Sequence, residues 1–128
     1  MTKKHAVIFT LCFLALMVFL INQTSKPQSI NSTNNVTLEN DTQIITIQAK
    51  GGYIPTNTNA QANTATKLKI NTQGTFDCSA SLVIPDLGYK TFLPPSGEST
   101  IDIPPQKSGT KLTGLCSMGM YSFSINFN

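Results

Sequence analysis

The stretch Tyr121-Ser122-Phe123-Ser124-Ile125-Asn126-Phe127 places an aromatic or aliphatic side chain at every odd position and a small polar one at every even position. A period of two belongs to an extended strand with one face buried and the other in water. The same period runs upstream through residues 75–84, where Phe76, Cys78, Ala80, Leu82 and Ile84 share an apolar face. Further strands are expected at Gln43–Lys50, Lys67–Thr72, Tyr89–Leu93, Ser99–Ile103 and Thr110–Leu115. Pro85-Asp86, Pro94-Pro95-Ser96-Gly97, Pro104-Pro105 and Ser108-Gly109 separate them with residues that preset turn dihedrals and end pairing. About seven short strands with turn chemistry between them imply an all-β sandwich or barrel over residues 43–128. Residues 51–68 carry few apolar markers, so their register is not readable.

The N-terminal 21 residues are of another kind. Ala6 to Ile21, AVIFTLCFLALMVFLI, holds a single polar residue, Thr10. As a helix it would reach about 24 Å, a little short of a hydrocarbon core of about 30 Å. No small-residue cleavage site follows it, so an uncleaved membrane anchor is expected rather than a signal peptide. Asn22 to Thr42 is rich in Asn, Ser, Thr and Gln, with too little apolar surface to fold alone, and reads as a flexible linker. A 22–42 linker of that composition would span about 25 Å root-mean-square.

The chain carries a formal charge of +3, yet Lys3, Lys4 and Lys26 flank the apolar run and the remaining lysines balance the acids. With no arginine and no basic stripe, nucleic acid is not an expected partner. The single histidine is His5, before the apolar run. The β-domain therefore has no imidazole, which removes Ser/His and Cys/His nucleophilic catalysis, imidazole acid-base work and histidine metal sites together. No catalytic residues are expected, and the chain does not read as an enzyme.

Sulfur is concentrated near the C-terminus. Beyond the N-terminal segment the sulfur residues are Cys78, Cys116, Met118 and Met120, three of them within Cys116-Ser117-Met118-Gly119-Met120. Parity with the last strand points Met120 outward, which suits a ligand better than a core residue. Cys78 has inward parity and, taken alone, reads as a buried structural cysteine. Thiolate and thioether are soft donors that suit Cu(I). Zinc would need four thiolate or imidazole ligands, and a blue-copper centre two imidazoles. A disulfide between Cys78 and Cys116 remains the competing use of the two thiols in an oxidising compartment.

Three segments carry a resemblance: GYIP from Gly52, CSASLVIPDLGYKTFLPPSGESTIDIPPQKSGT from Cys78, and CSMGMYSFSINF from Cys116. Over residues 44–128 the chain resembles bacterial cupredoxin-like copper proteins, in particular the membrane-anchored Cu(I) chaperone that accompanies a copper-exporting P-type ATPase. The resemblance implies a Greek-key cupredoxin-like sandwich behind a single N-terminal transmembrane helix. It implies Cu(I) as cargo, one or two ions per domain, with Cys78 and Cys116 as bridging thiolates and Met118 and Met120 as weaker thioether ligands. It also implies a role in copper resistance, with the exporter as partner. The lysine distribution about the apolar run favours the domain outside the cell membrane, whereas a chaperone of this kind implies the cytoplasm. The alternatives are a disulfide-stapled extracellular adhesion or scaffold domain and an electron-transfer cupredoxin.

Overall fold

The computed structural model describes residues 3, 7, 8, 10–15 and 35–128. The chain divides into two compact units, Met1–Asn31 and Ser32–Asn128. In the first, the described residues are helical. No helix among the described residues is long and apolar enough to cross a membrane, and much of the expected anchor lies outside them.

The second unit is an all-β sandwich of ten strands: β1 (Val36–Glu39), β2 (Thr42–Ala49), β3 (Tyr53–Ile54), β4 (Asn57–Ala60), β5 (Thr66–Gln73), β6 (Ser81–Ile84), β7 (Tyr89–Phe92), β8 (Ser96–Ile103), β9 (Lys111–Cys116) and β10 (Ser122–Phe127). One sheet runs β1-β2-β5-β8 with β3 paired to β2; the other runs β4-β10-β9-β6-β7. The β2–β5 and β4–β10 pairs are parallel and the rest antiparallel. Ile45, Ile47, Leu68 and Ile70 from the first sheet meet Leu82, Ile84, Leu112, Phe123, Ile125 and Phe127 from the second in one core. The last strand behaves as its alternation requires, with Phe123, Ile125 and Phe127 all buried.

Two expectations are corrected. Residues 75–84 are not one strand. The segment enters as a loop, makes a 3₁₀ turn at Cys78–Ala80 and becomes β6 only at Ser81. The reason is local: the Asp77 side chain accepts the Ser79 N–H, capping the turn and competing with ladder pairing. Phe76, expected on the inner face, is 84% exposed, while Ala80, Leu82 and Ile84 keep their buried positions. The segment expected as linker, 22–42, also supplies structure. Val36–Glu39 pairs antiparallel with β2 through Asn40 and Asp41, whose φ values of 47° and 63° suit the two-residue type I′ turn that closes right-twisted hairpins. Residues 22–34 of that segment lie outside the described residues.

The further strands β3 and β4 fall in the stretch whose register the sequence left open. In β4, Asn57-Thr58-Asn59-Ala60, the inner face is only Thr58 and Ala60, both buried. The Thr58 hydroxyl accepts from Asn35 Nδ2 at 2.8 Å, so a polar pair stands where a hydrophobic marker would be expected. Gln43, buried on β2, donates to the Gln61 carbonyl and the Thr66 hydroxyl and accepts the Gln61 N–H. That satisfies a side chain whose burial would otherwise be costly.

Phe123 stands opposite Gly114 across the β10–β9 ladder. A Cβ built at Gly114 would lie 2.2 Å from Phe123 Cζ, so the ring covers the bare backbone of its neighbour. Gly114→Ala is therefore expected to destabilise the domain by about 1–3 kcal/mol through overpacking. Thermal unfolding of Gly114→Ala and of Gly114→Ala with Phe123→Leu checks this: the smaller side chain should recover part of the loss.

Candidate metal centre

Cys116 is the last residue of β9, paired with Leu82 of β6, and is fully buried. The chain turns immediately after it. Gly119 N–H donates to the Cys116 carbonyl at 2.8 Å, Cys116 N–H to the Tyr121 carbonyl at 3.0 Å, and Ser117 N–H to the Ser81 carbonyl at 2.9 Å. Gly119 has φ of 72° with nothing near its missing Cβ, so the left-handed backbone, not crowding, calls for glycine there. These bonds fix the Cys116 end of the hairpin and leave Ser117 to Met120 as its tip.

Cys78 opens the 3₁₀ turn and is half-buried against the core. It is 38 residues from Cys116 in sequence, yet their Cα atoms are 5.8 Å apart and the two sulfurs are joined as a disulfide. That Cα spacing is ordinary for a disulfide. Metal–thiolate bonds of about 2.3 Å hold two sulfurs no more than about 4.6 Å apart around one ion, which side chains at this spacing can span. Met118 and Met120 occupy the hairpin tip and are 76% and 65% exposed, as the outward parity of Met120 anticipates. The structure thus brings the two cysteines together and leaves both thioethers in solvent beside the chain segment that carries Cys116.

The neighbours of Cys78 are tied to a turn at residues 50–53. The Asp77 carboxylate accepts the Gly51 N–H at 2.9 Å and the Ser79 N–H at 2.8 Å, together with the Ser79 hydroxyl. The Tyr53 hydroxyl donates to the Ser79 carbonyl at 3.0 Å. The Tyr53 ring meets Phe123 edge to face at 5.1 Å. On the other side, a Cβ at Gly52 would lie 3.5 Å from Tyr121 Cδ1, which places the Tyr121 ring beside that glycine. Gly52–Pro55 carries part of the sequence resemblance but no role in it. An Asp directly before Cys-Ser-Ala is an N-cap signal that could have located the short turn.

These contacts have electrostatic consequences. The Ser79 hydroxyl, then the Gly51 and Ser79 N–H groups, hold the Asp77 carboxyl below its ordinary range. Burial, and secondarily the Asp77 charge, push the Tyr53 phenol up to about 12. Among the described residues no three or more His, Cys, Asp or Glu side chains gather as a metal cluster. Reduced, the pair would offer two thiols, with the Met118 and Met120 thioethers on the adjoining hairpin tip, chemistry that fits a low-coordinate soft ion and not zinc or Cu(II).

Residues 10–124 match the model of the cupredoxin-like domain, and the chain belongs to that family. No protein of curated function matches. Among solved structures, the metal binding domain of the Cu(I)-exporting P-type ATPase CopA of Streptococcus pneumoniae D39, with Cu(I), aligns with a TM-score of 0.64 and 24% identity. That alignment covers 73% of this chain and 92% of the other. A copper binding protein solved in the apo form by NMR aligns with a TM-score of 0.66 and 22% identity, over 73% of this chain and 94% of that one. At these identities the likeness is one of fold.

The phenol of Tyr53 yields a pH test. Its raised value favours the neutral form in the fold, so its contribution to stability is full below about pH 10, the ordinary phenol value, and is lost as pH rises through about 12. Tyr53 should ionise late in a phenolate absorbance titration. Tyr53→Phe should remove that late component alone.

Proposed function

We propose that the protein is a membrane-tethered, non-catalytic Cu(I)-binding protein that sequesters copper and passes it to a copper-exporting P-type ATPase. The observation that carries the reading is the convergence of Cys78 and Cys116 from 38 residues apart in a cupredoxin-like domain without histidine. Fold likeness to the metal binding domain of a Cu(I) exporter supports a copper-transport setting. Cys78 and Cys116 would bind the ion as thiolates, with Met118 and Met120 as weaker donors at the open hairpin tip, where a second ion would sit. Transfer would proceed by ligand exchange: an incoming sulfur from the acceptor bonds to copper before an outgoing one departs. The exposed thioethers and half-buried Cys78 suit that step better than buried Cys116. An N-terminal anchor would raise the local concentration of the domain near a membrane partner. Delivery to an exporter sets the domain on the cytoplasmic side, where thiols stay reduced.

Titration of the reduced protein with Cu(I) against a competing chelator tests this. Cys78→Ser and Cys116→Ser should each weaken binding beyond the roughly 10–100-fold typical of losing an outer-shell partner. Met118→Leu with Met120→Leu should mainly weaken uptake of a second ion. Undiminished tight binding by Cys116→Ser would sink the assignment.

The sulfur pairing itself favours a second reading, a stapled β-domain facing an oxidising compartment. Thiol counting on protein isolated without reductant separates the two. The copper reading expects Cys12, Cys78 and Cys116 all to react after unfolding. The staple expects Cys12 alone, and reduction should then cost about 2–5 kcal/mol of stability.

A further inference from the structure

The turn at residues 50–53 touches both halves of the sulfur pair. Gly51 N–H reaches Asp77, immediately before Cys78, at 2.9 Å. The Tyr53 hydroxyl reaches the carbonyl of Ser79, immediately after Cys78, at 3.0 Å. Gly52 backs the ring of Tyr121, whose carbonyl accepts the Cys116 N–H at 3.0 Å. The turn is itself closed by Lys50 N–H donating to the Gly52 carbonyl at 3.0 Å. Tyr53 is buried, and its ring is fixed edge to face on Phe123.

From this geometry we infer that Tyr53 and Asp77 are positioning residues: through the 50–53 turn they hold the segment on either side of Cys78 so that its sulfur faces Cys116 when no bond or metal joins the two.

The physical need is specific to the open pair. A disulfide or a shared ion would hold the sulfurs together, but each must first meet the other across a gap between two loops. Cys116 has little freedom, being buried at the end of a paired strand. Cys78 lies in a 3₁₀ turn of three residues outside any ladder, where side-chain ties add to a few backbone bonds in placing it. Asp77 makes two kinds of tie. Its bonds to Ser79 cap the turn locally, and its bond to Gly51 crosses to the other loop. The crossing bond and that of Tyr53 join the turn to the 50–53 loop, beside the Leu93 N–H bond to the Ala80 carbonyl at 2.7 Å and the run into β6 at Ser81. Two oriented groups brought together in this way react as if at high effective concentration. The inference deepens the copper reading and rests on it for its purpose, but the quantity it predicts is measured without copper.

Two substitutions remove the crossing bonds and keep the local structure. Tyr53→Phe retains the ring on Phe123 and deletes the hydroxyl. Asp77→Asn can still cap Ser79, since Asn is as good an N-cap as Asp, but turns an amide donor toward the Gly51 N–H. The measurement is the thiol–disulfide equilibrium of the full-length protein in mild detergent, on a Cys12→Ser background. In that exchange the protein dithiol and one oxidised glutathione give the protein disulfide and two reduced glutathiones, the two thiol protons passing to the glutathione released. Each variant should lower the equilibrium constant for closing the protein disulfide by roughly three- to tenfold, the size expected from one net hydrogen bond. Ile101→Val, thinning the core on β8, serves as the stability control: it should lower the unfolding midpoint and leave the constant unchanged.

Constants within twofold of the parent protein for both Tyr53→Phe and Asp77→Asn, in folded protein, would overturn the inference. An equal shift in Ile101→Val would overturn it too, since stability alone would then account for the effect. A Cu(I) titration of the parent protein judges the copper reading separately. Shifted constants with no tight Cu(I) uptake leave the positioning role standing and remove the copper reading; tight uptake with unshifted constants does the reverse.

Discussion

The ring of Phe123 lying across Gly114 is the contact from which the organisation of this domain follows. It packs β10 against β9 one pair in from the turn end of their ladder, where any side chain at Gly114 would strike the ring. The same ring meets Tyr53 edge to face, so a residue of the first sheet is seated on the second. Tyr53 in turn reaches the Ser79 carbonyl. One buried aromatic thus links the C-terminal hairpin, whose first strand ends in Cys116, to the turn that presents Cys78. Placement of the sulfur pair is a consequence of core packing as much as of local loop chemistry. A preorganised pair needs that kind of support, because positions held only by loops are less exact than those referred to strands.

Much of this was legible in the sequence where hydrophobic alternation was strong. The strands β2, β5, β7, β8, β9 and β10 fall within a few residues of their expected places, and the odd positions from Phe123 to Phe127 are buried as their period requires. Alternation failed where buried positions carry small or polar residues. Thr58 and Ala60 line β4 without a marker, and β1 hides in an Asn-rich tract with an Asn-Asp turn after it. It misled at Phe76, where period two continued through residues that an aspartate cap had already turned. Side-chain hydrogen bonding to the backbone competes with the ladder at short range, and a period count does not register it.

The candidate site divides in the same way. The candidate donors come from composition, because the only sulfur beyond the N-terminal segment belongs to Cys78, Cys116, Met118 and Met120. Their meeting does not. A strand running from Thr75 would have put Cys78 on a regular ladder; the 3₁₀ turn instead brings it to the end of β9 and leaves it half-buried. The platform of residues 50–53 had no sequence signature beyond its glycines and a tyrosine, since its role lies in bonds to Asp77 and Ser79 across the fold.

Histidine decides the chemistry by where it is missing. A cupredoxin-like sandwich with imidazole ligands can hold copper in either oxidation state, but this domain offers thiols and thioethers alone. An electron-transfer centre would have to cycle through Cu(II), the state this donor set serves worst. A closed disulfide and the proposed Cu(I) ion would make competing demands on the same two sulfurs. With the sulfurs already held within bonding reach, little backbone movement separates the two uses. The compartment would therefore do more than the fold to select between them: reducing conditions would leave the thiolates free for the proposed metal, and oxidising conditions would keep the same geometry as a covalent staple.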